Sequence, residues 1–519
     1  MFSSNTHRLI FIFAACALAF GMMIGTVPTS VPQFILLGNW LLEGQFKTKW
    51  VKLKNNKLFW VLSTVFLIHV VGLIYTSDLN AGWDDVRTKM PLMFLPLIFF
   101  SSGPLKKNEF DLMLKLFLAG CIVNVTWCAI YSFILHRNID LRSASRFMSH
   151  IRLGLYLVMG IATSLYFLLE TNSKKEKIIY ASILFYLITT IYILGLASGF
   201  FNLVLLLCIF GIYYSYKKGL KYFILASSGV IFILLFAFYY INHIYNSQFT
   251  LKETSYNSKK LTNDVGKFYY HFEGMNQIEN GNVVNTNIIL QDLQYAWNSV
   301  CPDDTFSLDP AHNTNRFLVL LRYMSSMEIT KDSIGFSKLN TDDIKSIKLG
   351  YTHYDYKNWS YFHRRIYELV NEFQEYKTHQ EINGNSLTMR LYFWGNALKV
   401  ISQNPFFGVG TGDVQEAMNL AYQESKTPLK REWFKRPHNQ FLTATVALGV
   451  VGLLLFLFSV FLPFFSIRKH KHSLYLPFFI LSVLSFLMED TLETQAGVTF
   501  FAFFNSLFVS YSYFLKTKN

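Results

Sequence analysis

Arg390 and His438 are the side chains of this sequence whose types and positions best suit chemistry. Both belong to a stretch with a glycine-rich Gly-Val-Gly-Thr-Gly segment, and Arg436-Pro437-His438-Asn439 leads directly into an apolar run. An imidazole has an ordinary pKa of about 6.5 and therefore exchanges a proton near neutral pH. At the start of a membrane helix, His438 would lie at the membrane surface, where lipid-carried substrates are accessible.

Each of these features also has a structural interpretation. A lone histidine at a helix start is often structural, and an isolated Arg390 would be an ordinary surface charge. The glycines of 408–412 do not indicate a nucleotide P-loop, because no Lys-Ser/Thr follows them and no strand precedes them. They favour a tight turn that needs positive φ angles.

The elements around these residues follow from spacing. Arg390, Trp394 and Ala397 share one face of a predicted helix through i, i+4, i+7 spacing, and this helix ends at Asn404-Pro405. A second helix is predicted over 355–378. Residues 244–350 are rich in Asn, Ser, Asp and Lys with weak periodicity, and this pattern predicts an irregular insertion.

Composition sets the fold class. The 519 residues are 52% hydrophobic and 17% aromatic, which exceeds the usual range of soluble proteins. Ten apolar runs are long enough to cross a bilayer core of about 30 Å, and two shorter runs, 30–44 and 89–103, bring the predicted total to about twelve. The sequence thus predicts an all-α polytopic membrane protein with a large external loop before the last three helices.

Basic residues predict the orientation, because short loops rich in Lys and Arg stay on the cytoplasmic side. Alternate loops carry clusters of lysines, such as those in 47–57, 174–177 and 217–221. We therefore expect both termini to be cytoplasmic. These loops also explain the net charge of +14 without nucleic-acid binding.

The predicted organisation has three parts, which are a bundle of about nine helices over 1–241, a large external loop over 242–437, and about three helices over 438–519. Of the five cysteines, only Cys301 lies in the external loop, and no Cys/His spacing indicates a metal site.

Two further groups of charged residues are candidates for substrate binding. Arg146 and Arg152 lie at the predicted outer mouth of a membrane helix, where an ionisable residue indicates function or snorkels to lipid phosphates. Glu489 and Glu493 lie between the last two crossings. This acidic cluster could receive an arginine, bind an acceptor sugar, or form an ordinary solvated turn.

Three motifs together resemble the O-antigen ligase/polymerase family. They are Arg390-Leu-Tyr-Phe-Trp394, Asn404-Pro-Phe-Phe-Gly-Val-Gly-Thr-Gly412, and His438-Asn-Gln-Phe-Leu442 followed by Gly449 and Gly452. The resemblance implies a glycosyltransferase C-like fold. It also implies that a glycan moves from an undecaprenyl diphosphate carrier to an acceptor hydroxyl, with inversion at the sugar and without metal or cofactor.

Within this resemblance, Arg390 would stabilise the diphosphate leaving group through bidentate contacts. His438 would accept the acceptor's proton or orient the acceptor, and Asn439 would hold the imidazole or contact sugar. The family's middle-helix Ser-Arg pair has no counterpart here, because Leu196-Ala-Ser198-Gly199-Phe200 lacks an arginine. Arg146 and Arg152 are the candidates for replacing it.

The implied function is that of an O-antigen ligase. Such an enzyme of the bacterial inner membrane acts on lipid A-core in lipopolysaccharide biosynthesis, with its large loop in the periplasm. A repeat-unit polymerase of O-antigen or exopolysaccharide shares its donor and motifs. A polysaccharide transporter or flippase would not need His438, and a membrane-anchored protein that only binds polysaccharide would tolerate loss of both Arg390 and His438.

Overall fold

The computed structural model describes residues 3–131, 134, 147–254, 257–272, 277–305, 315–377, 382–467 and 472–518. The chain divides into two compact units. The first comprises Met1–Tyr214 and Met389–Asn519, and the second comprises Ser215–Thr388.

The first unit begins with a run of helices, the last of which ends just beyond its boundary. They are α1 (Ser4–Gly21), α2 (Thr26–Glu43), α3 (Phe46–Lys54), α4 (Lys57–Gly72), α5 (Leu79–Lys89), α6 (Pro91–Ser101), α7 (Lys107–Ile130), α8 (His150–Glu170), α9 (Lys174–Ile193) and α10 (Ala197–Lys218).

The second unit contains one long helix, several short ones and a two-stranded antiparallel hairpin. They are α11 (Leu220–Gln248), β1 (Ile278–Glu279), β2 (Asn282–Val283), α12 (Leu290–Val300), α13 (Asn315–Ser326), α14 (Ser333–Phe336), α15 (Thr341–Lys348) and α16 (Tyr361–Lys377).

The chain then returns to the first unit through α17, whose first residues still belong to the second. The remaining helices are α17 (Ser386–Gln403), α18 (Val414–Glu424), α19 (Gln440–Ser466), α20 (Tyr475–Met488) and α21 (Gln495–Lys518).

Nine helices in the described part of the chain are long and apolar enough to cross a membrane. They are α1, α4, α7, α8, α9, α10, α11, α19 and α21. The other three predicted crossings coincide with α2, α6 and α20, which fall short of these limits in length or in apolar character. The prediction of an all-α polytopic membrane protein is confirmed.

Aromatic packing joins the last helix, α21, to the N-terminal part of the first unit. The Tyr156 ring of α8 stacks on Phe500 of α21 at 4.3 Å, and Phe117 of α7 meets Phe504 edge-on at 4.9 Å. The Tyr156 hydroxyl also donates to the Ala496 carbonyl at 2.8 Å. These contacts fix the start of α21 and thereby the α20–α21 connection, residues 489–494.

Helix α19 is interrupted at Gly449, where φ is +65°. The glycine segment, residues 405–412, supplies the hydrogen bonds that the break leaves open. The Val409 and Gly410 N–H groups donate to the carbonyls of Val446 and Ala447 at 2.9 Å, and the Val450 N–H donates to Pro405. The backbone around the break in α19 therefore stays hydrogen-bonded although the helix is not continuous.

Glycine is required on both sides of this contact. A Cβ at Gly449 would lie 2.2 Å from the Phe406 carbonyl, and one at Gly408 would lie 2.5 Å from the backbone of α19. Gly408 and Gly410 have φ angles of +69° and +105°, so the prediction of a positive-φ turn is confirmed.

The prediction of an irregular insertion over 244–350 is wrong for the second half of this region, residues 290–348. Much of this region folds into α12–α15 around its own apolar core, which includes Trp297, Tyr323 and Met324. These helices are short, with 4 to 12 residues each. Segments this short contain too few helical turns to establish a period among the surrounding polar residues, whereas the longer α16 confirms the helix predicted over 355–378.

Candidate active site

Glu489 bridges the two residues that the sequence places at the centre of the chemistry. The Arg390 Nη2 atom donates to Glu489 Oε1 at 2.8 Å, and His438 Nδ1 lies 3.2 Å from Glu489 Oε2. Arg390 comes from α17, His438 immediately precedes the α19 N-cap, and Glu489 begins the α20–α21 connection. Three distant parts of the chain thus form one cluster, which we call the Glu489 cluster.

Exposure differs within this cluster. The side chains of Arg390 and Glu489 are 19% and 21% exposed, whereas that of His438 is 36% exposed. The imidazole is therefore the member most accessible to a substrate. In the neutral tautomer that donates Nδ1–H to Glu489, Nε2 carries the lone pair and serves as a proton acceptor.

Asp490 accepts hydrogen bonds from the backbone at His438 and thereby fixes its conformation. His438 has a φ of +50°, a left-handed conformation that is costly for a residue with a Cβ. Its N–H donates to Asp490 Oδ2 at 2.9 Å, and the Asn439 N–H and Thr443 hydroxyl donate to Oδ1 at 3.0 Å and 2.6 Å. A carboxylate at a helix N-terminus also interacts favourably with the helix dipole.

The pKa values of Glu489 and Asp490 are shifted in opposite directions. Burial acts to raise the pKa of Glu489, but the hydrogen bond and charge of His438 together with Arg390 outweigh it, so the pKa lies below its ordinary value. For Asp490, burial dominates and raises the pKa, although the Thr443 hydrogen bond opposes the shift. Glu489 is therefore an anion at neutral pH and can accept from both Arg390 and His438.

A second group of charges, the Lys89 network, joins α5 to Glu493 and to Arg436 and Gln440, which flank His438 in sequence. The buried Lys89 ammonium contacts Asp85 Oδ2 at 2.7 Å and Glu493 Oε2 at 2.8 Å. Arg436 pairs with Glu493 and lies 3.5 Å from Asp85, and Gln440 donates to Glu493 at 3.0 Å. Two cations and two carboxyl groups thus lie in contact.

The pKa values of Asp85 and Glu493, the two carboxyl groups of the Lys89 network, are shifted in opposite directions. Burial and then the neighbouring Glu493 raise the pKa of Asp85 to about 7. Burial also acts to raise the pKa of Glu493, but Lys89 and Arg436 outweigh it and hold this pKa well below the ordinary value. Glu493 is therefore ionised and fixes the position of Arg436, which lies two residues before His438.

The acidic cluster of 489–495 was open to three interpretations. The solvated turn is wrong, because Asp490 is only 8% exposed and Glu493 is enclosed by cations. The expectation that the cluster receives an arginine is confirmed by the contacts of Arg390 and Arg436.

The structure places the other predicted residues as follows. Asn439 caps α19 by accepting from the N–H groups of Phe441 and Leu442, and its amide donates to the Leu487 carbonyl, so it supports the helix start. Arg152 lies in the first turn of α8, and its guanidinium makes no ion pair with any described residue. Arg146 lies outside the described residues.

Several residues of the site were not predicted from the sequence. They are Asp85 and Lys89, whereas Asp490 was noted only as part of the acidic cluster and Arg436 and Gln440 only as parts of motifs. Lys89 could have been found, since it directly precedes the apolar run of α6, and an ionisable residue beside a membrane segment indicates a specific partner. Asp490 carried no such signal, because its partners are backbone groups of a distant segment.

Comparison with known families centres on the same part of the chain. The family model described as O-antigen ligase matches residues 350–457. This match supports the resemblance to the O-antigen ligase family for this segment of the chain. No curated protein sequence matches it.

The matched segment includes α16, α17, the glycine segment and the start of α19. It therefore contains Arg390, Arg436 and His438. Their acidic partners Glu489 and Glu493 lie beyond the match, as does Lys89. This family comprises glycosyltransferase-like ligases and polymerases, which supports an enzymatic role for the protein.

Proposed function

We propose that the protein transfers a glycan from an undecaprenyl diphosphate carrier to an acceptor hydroxyl, as an O-antigen ligase that acts on lipid A-core. The observation that carries this proposal is the bridge of Glu489 between Arg390 and His438. It places a guanidinium and an oriented imidazole on one carboxylate, as transfer from a diphosphate to a hydroxyl requires.

In the proposed step, the acceptor oxygen attacks the anomeric carbon of the glycan. A new C–O bond forms as the bond between the anomeric carbon and the diphosphate oxygen breaks, with inversion at that carbon. The acceptor proton passes to His438 Nε2, and the electron pair leaves on undecaprenyl diphosphate. Positioned proton acceptors of this kind contribute about 10²–10⁴-fold to rate.

Arg390 would stabilise the negative charge that develops on the leaving diphosphate. A guanidinium has five N–H donors in a planar arrangement, and the contact with Glu489 uses its Nη2 group. Glu489 thereby orients the arginine as well as the imidazole. The step requires no metal ion, because the guanidinium supplies the positive charge.

The proposed setting is the inner membrane of a bacterium, with the segment between α11 and α19 in the periplasm and both termini in the cytoplasm. This arrangement places the cluster on the side where lipid-linked glycans are assembled onto lipid A-core. We favour a ligase over a repeat-unit polymerase, and both over a transporter or flippase.

The test compares surface polysaccharides on gels from cells that lack the protein and express wild type, His438→Ala or Arg390→Ala at equal membrane abundance. As a ligase, wild type restores capped lipopolysaccharide. Neither variant restores it, and long lipid-linked chains accumulate. His243→Ala is the matched control, because this exposed histidine of α11 lies outside the cluster, and it should complement fully.

The remaining outcomes of this experiment point to a different function or site. If cells without the protein retain only single repeat units, it is a polymerase. If glycan fails to reach the periplasmic side, it is a transporter or flippase. If His438→Ala and Arg390→Ala both complement fully, the proposed site is wrong.

A further inference from the structure

We propose that the second unit binds an anionic phospholipid, with an acyl chain in an apolar pocket between α11 and α16 and the phosphate on Lys377. The pocket has a volume of about 440 Å³, within the range of about 300–1,000 Å³ typical of small-ligand sites. Its lining includes Phe238, Ile241, Leu369 and Phe373. This site is independent of glycan transfer.

The length of α11 places this pocket at the membrane interface. At about 1.5 Å per residue, its 29 residues span about 44 Å, which exceeds a hydrocarbon core of about 30 Å. Counted from the lysines at its N-terminal end, the core is crossed near Tyr239 and Tyr240, and aromatic residues favour this boundary. Residues 238–245, which line the pocket, therefore lie where acyl chains meet head groups.

The pocket is continuous with the lipid-facing surface of α11. Of the residues in this helix, only Ile244 is buried. Phe238 and Ile241 line the pocket and are also 71% and 45% exposed. An acyl chain lying along α11 can thus enter the pocket without leaving an apolar environment. Its apolar surface is therefore never exposed to water.

Lys377 supplies the charge that selects the head group. Its ammonium lies 4.8 Å from the Phe373 ring and 5.2 Å from the Tyr245 ring at the edge of the pocket. It forms no ion pair with a carboxylate among the described residues. A phosphate beside the apolar opening would pair with it, and this charge complementarity favours an anionic lipid over a zwitterionic one.

The test measures lipids retained by the purified full-length protein, by native mass spectrometry after incubation with phosphatidylglycerol or phosphatidylcholine. Wild type should retain one phosphatidylglycerol with preference over phosphatidylcholine. Lys377→Glu should weaken retention at least about fivefold, the effect of one basic charge at an anionic membrane surface. Leu369→Trp should abolish retention by filling the pocket.

Two variants serve as controls. Lys345→Glu makes the same charge change at an exposed lysine outside the pocket lining and should retain the lipid, as should Leu369→Ala, which enlarges the pocket. The proposal is overturned if Lys377→Glu and Leu369→Trp retain phosphatidylglycerol like wild type. It is also overturned if both lipids bind equally, or if the retained mass is that of an isoprenoid phosphate. None of these outcomes depends on glycan transfer.

Discussion

At the scale of single residues, Glu489 has two roles that its position makes inseparable. Its two oxygens face different partners, Arg390 and His438. A change in this carboxylate therefore alters both the proposed charge stabilisation and the proposed proton acceptor. Asp490, the next residue, acts on the backbone of His438. Adjacent carboxylates thus serve separate positioning tasks.

Arg390→Lys keeps the charge of the side chain but removes its planar arrangement of donors. We expect transfer of glycan to fall at least about tenfold at equal protein abundance, because an ammonium contacts phosphate as a point charge. The measurement is ligation with purified lipid-linked donor in proteoliposomes. The exposed Arg87→Lys is the matched control, and near-normal activity of Arg390→Lys would remove the bidentate role.

Glu489→Gln tests the charge of the carboxylate through its pH dependence. Because the pKa of Glu489 is lowered in the folded protein, its ionic contribution to stability is present above the unfolded pKa of about 4.3 and is lost as pH falls through the lower folded pKa. The difference in unfolding midpoint between wild type and Glu489→Gln should therefore stay constant from about pH 6 to 8 and shrink below about pH 4.

A difference that already disappears between pH 6 and 7 would show that Glu489 is protonated near neutrality. Such a result would contradict the proposed anionic bridge between Arg390 and His438.

Chelation of divalent ions tests whether side chains alone supply the positive charge that stabilises the leaving diphosphate. If Arg390 performs the task of a metal ion, addition of EDTA to the proteoliposome assay should leave the rate of ligation unchanged. A loss of activity that a divalent ion restores would contradict the proposal.

At the scale of elements, the interrupted α19 is the feature that ties the site together. The glycine segment fills the break by backbone hydrogen bonds. It also reaches α4 and α5, since Thr411 donates to the His69 carbonyl and Asp413 accepts from the N–H groups of Ser77 and Asp78. The start of α19 and the Lys89 network therefore share one support.

Gly449→Ala should destabilise the protein by more than about 2 kcal/mol, because a Cβ would lie 2.2 Å from the Phe406 carbonyl and φ is positive. Thermal unfolding in detergent measures this loss. Gly211→Ala is the control, since its Cβ would meet no atom within 4 Å in α10, and alanine favours a helix by about 1 kcal/mol. Equal midpoints for the two variants would refute the close contact.

The sequence predicted the long helices and the turn at Gly408 well, because continuous apolar runs and closely spaced glycines are local signals. It predicted Arg390 and His438 from motifs and grouped them only by resemblance, and it left open whether the acidic cluster receives an arginine. It could not predict that Lys89 joins Glu493, since the two are separated by 404 residues and meet only through tertiary packing. The short helices α12–α15 were missed because segments of 4 to 12 residues contain too few turns to establish a helical period.

At the scale of the whole molecule, the Glu489 cluster and the Lys89 network lie entirely within the first unit, which combines both ends of the chain. The second unit has its own apolar core and its own long helix, α11. The chain therefore leaves the first unit after α10 and returns in α17 to complete it.

The proposed orientation predicts which surface positions react from outside the cell membrane. In a cysteine-free background, Glu424→Cys should react with a membrane-impermeant maleimide on intact spheroplasts, whereas Asn108→Cys should react only after lysis. Both positions are exposed, so accessibility of the side chain does not distinguish them. The reverse pattern would invert the topology, and labelling of both before lysis would invalidate the assignment of opposite sides.

The late position of Glu489 has a consequence for synthesis of the protein. Arg390 emerges from the ribosome 99 residues before its carboxylate partner, and at about 5–20 residues per second the interval is about 5–20 s. Lys89 and Arg436 likewise precede Glu493. A nascent chain that stops before the final connection contains three cations without these counter-charges, and cellular quality control can recognise such an incomplete membrane domain.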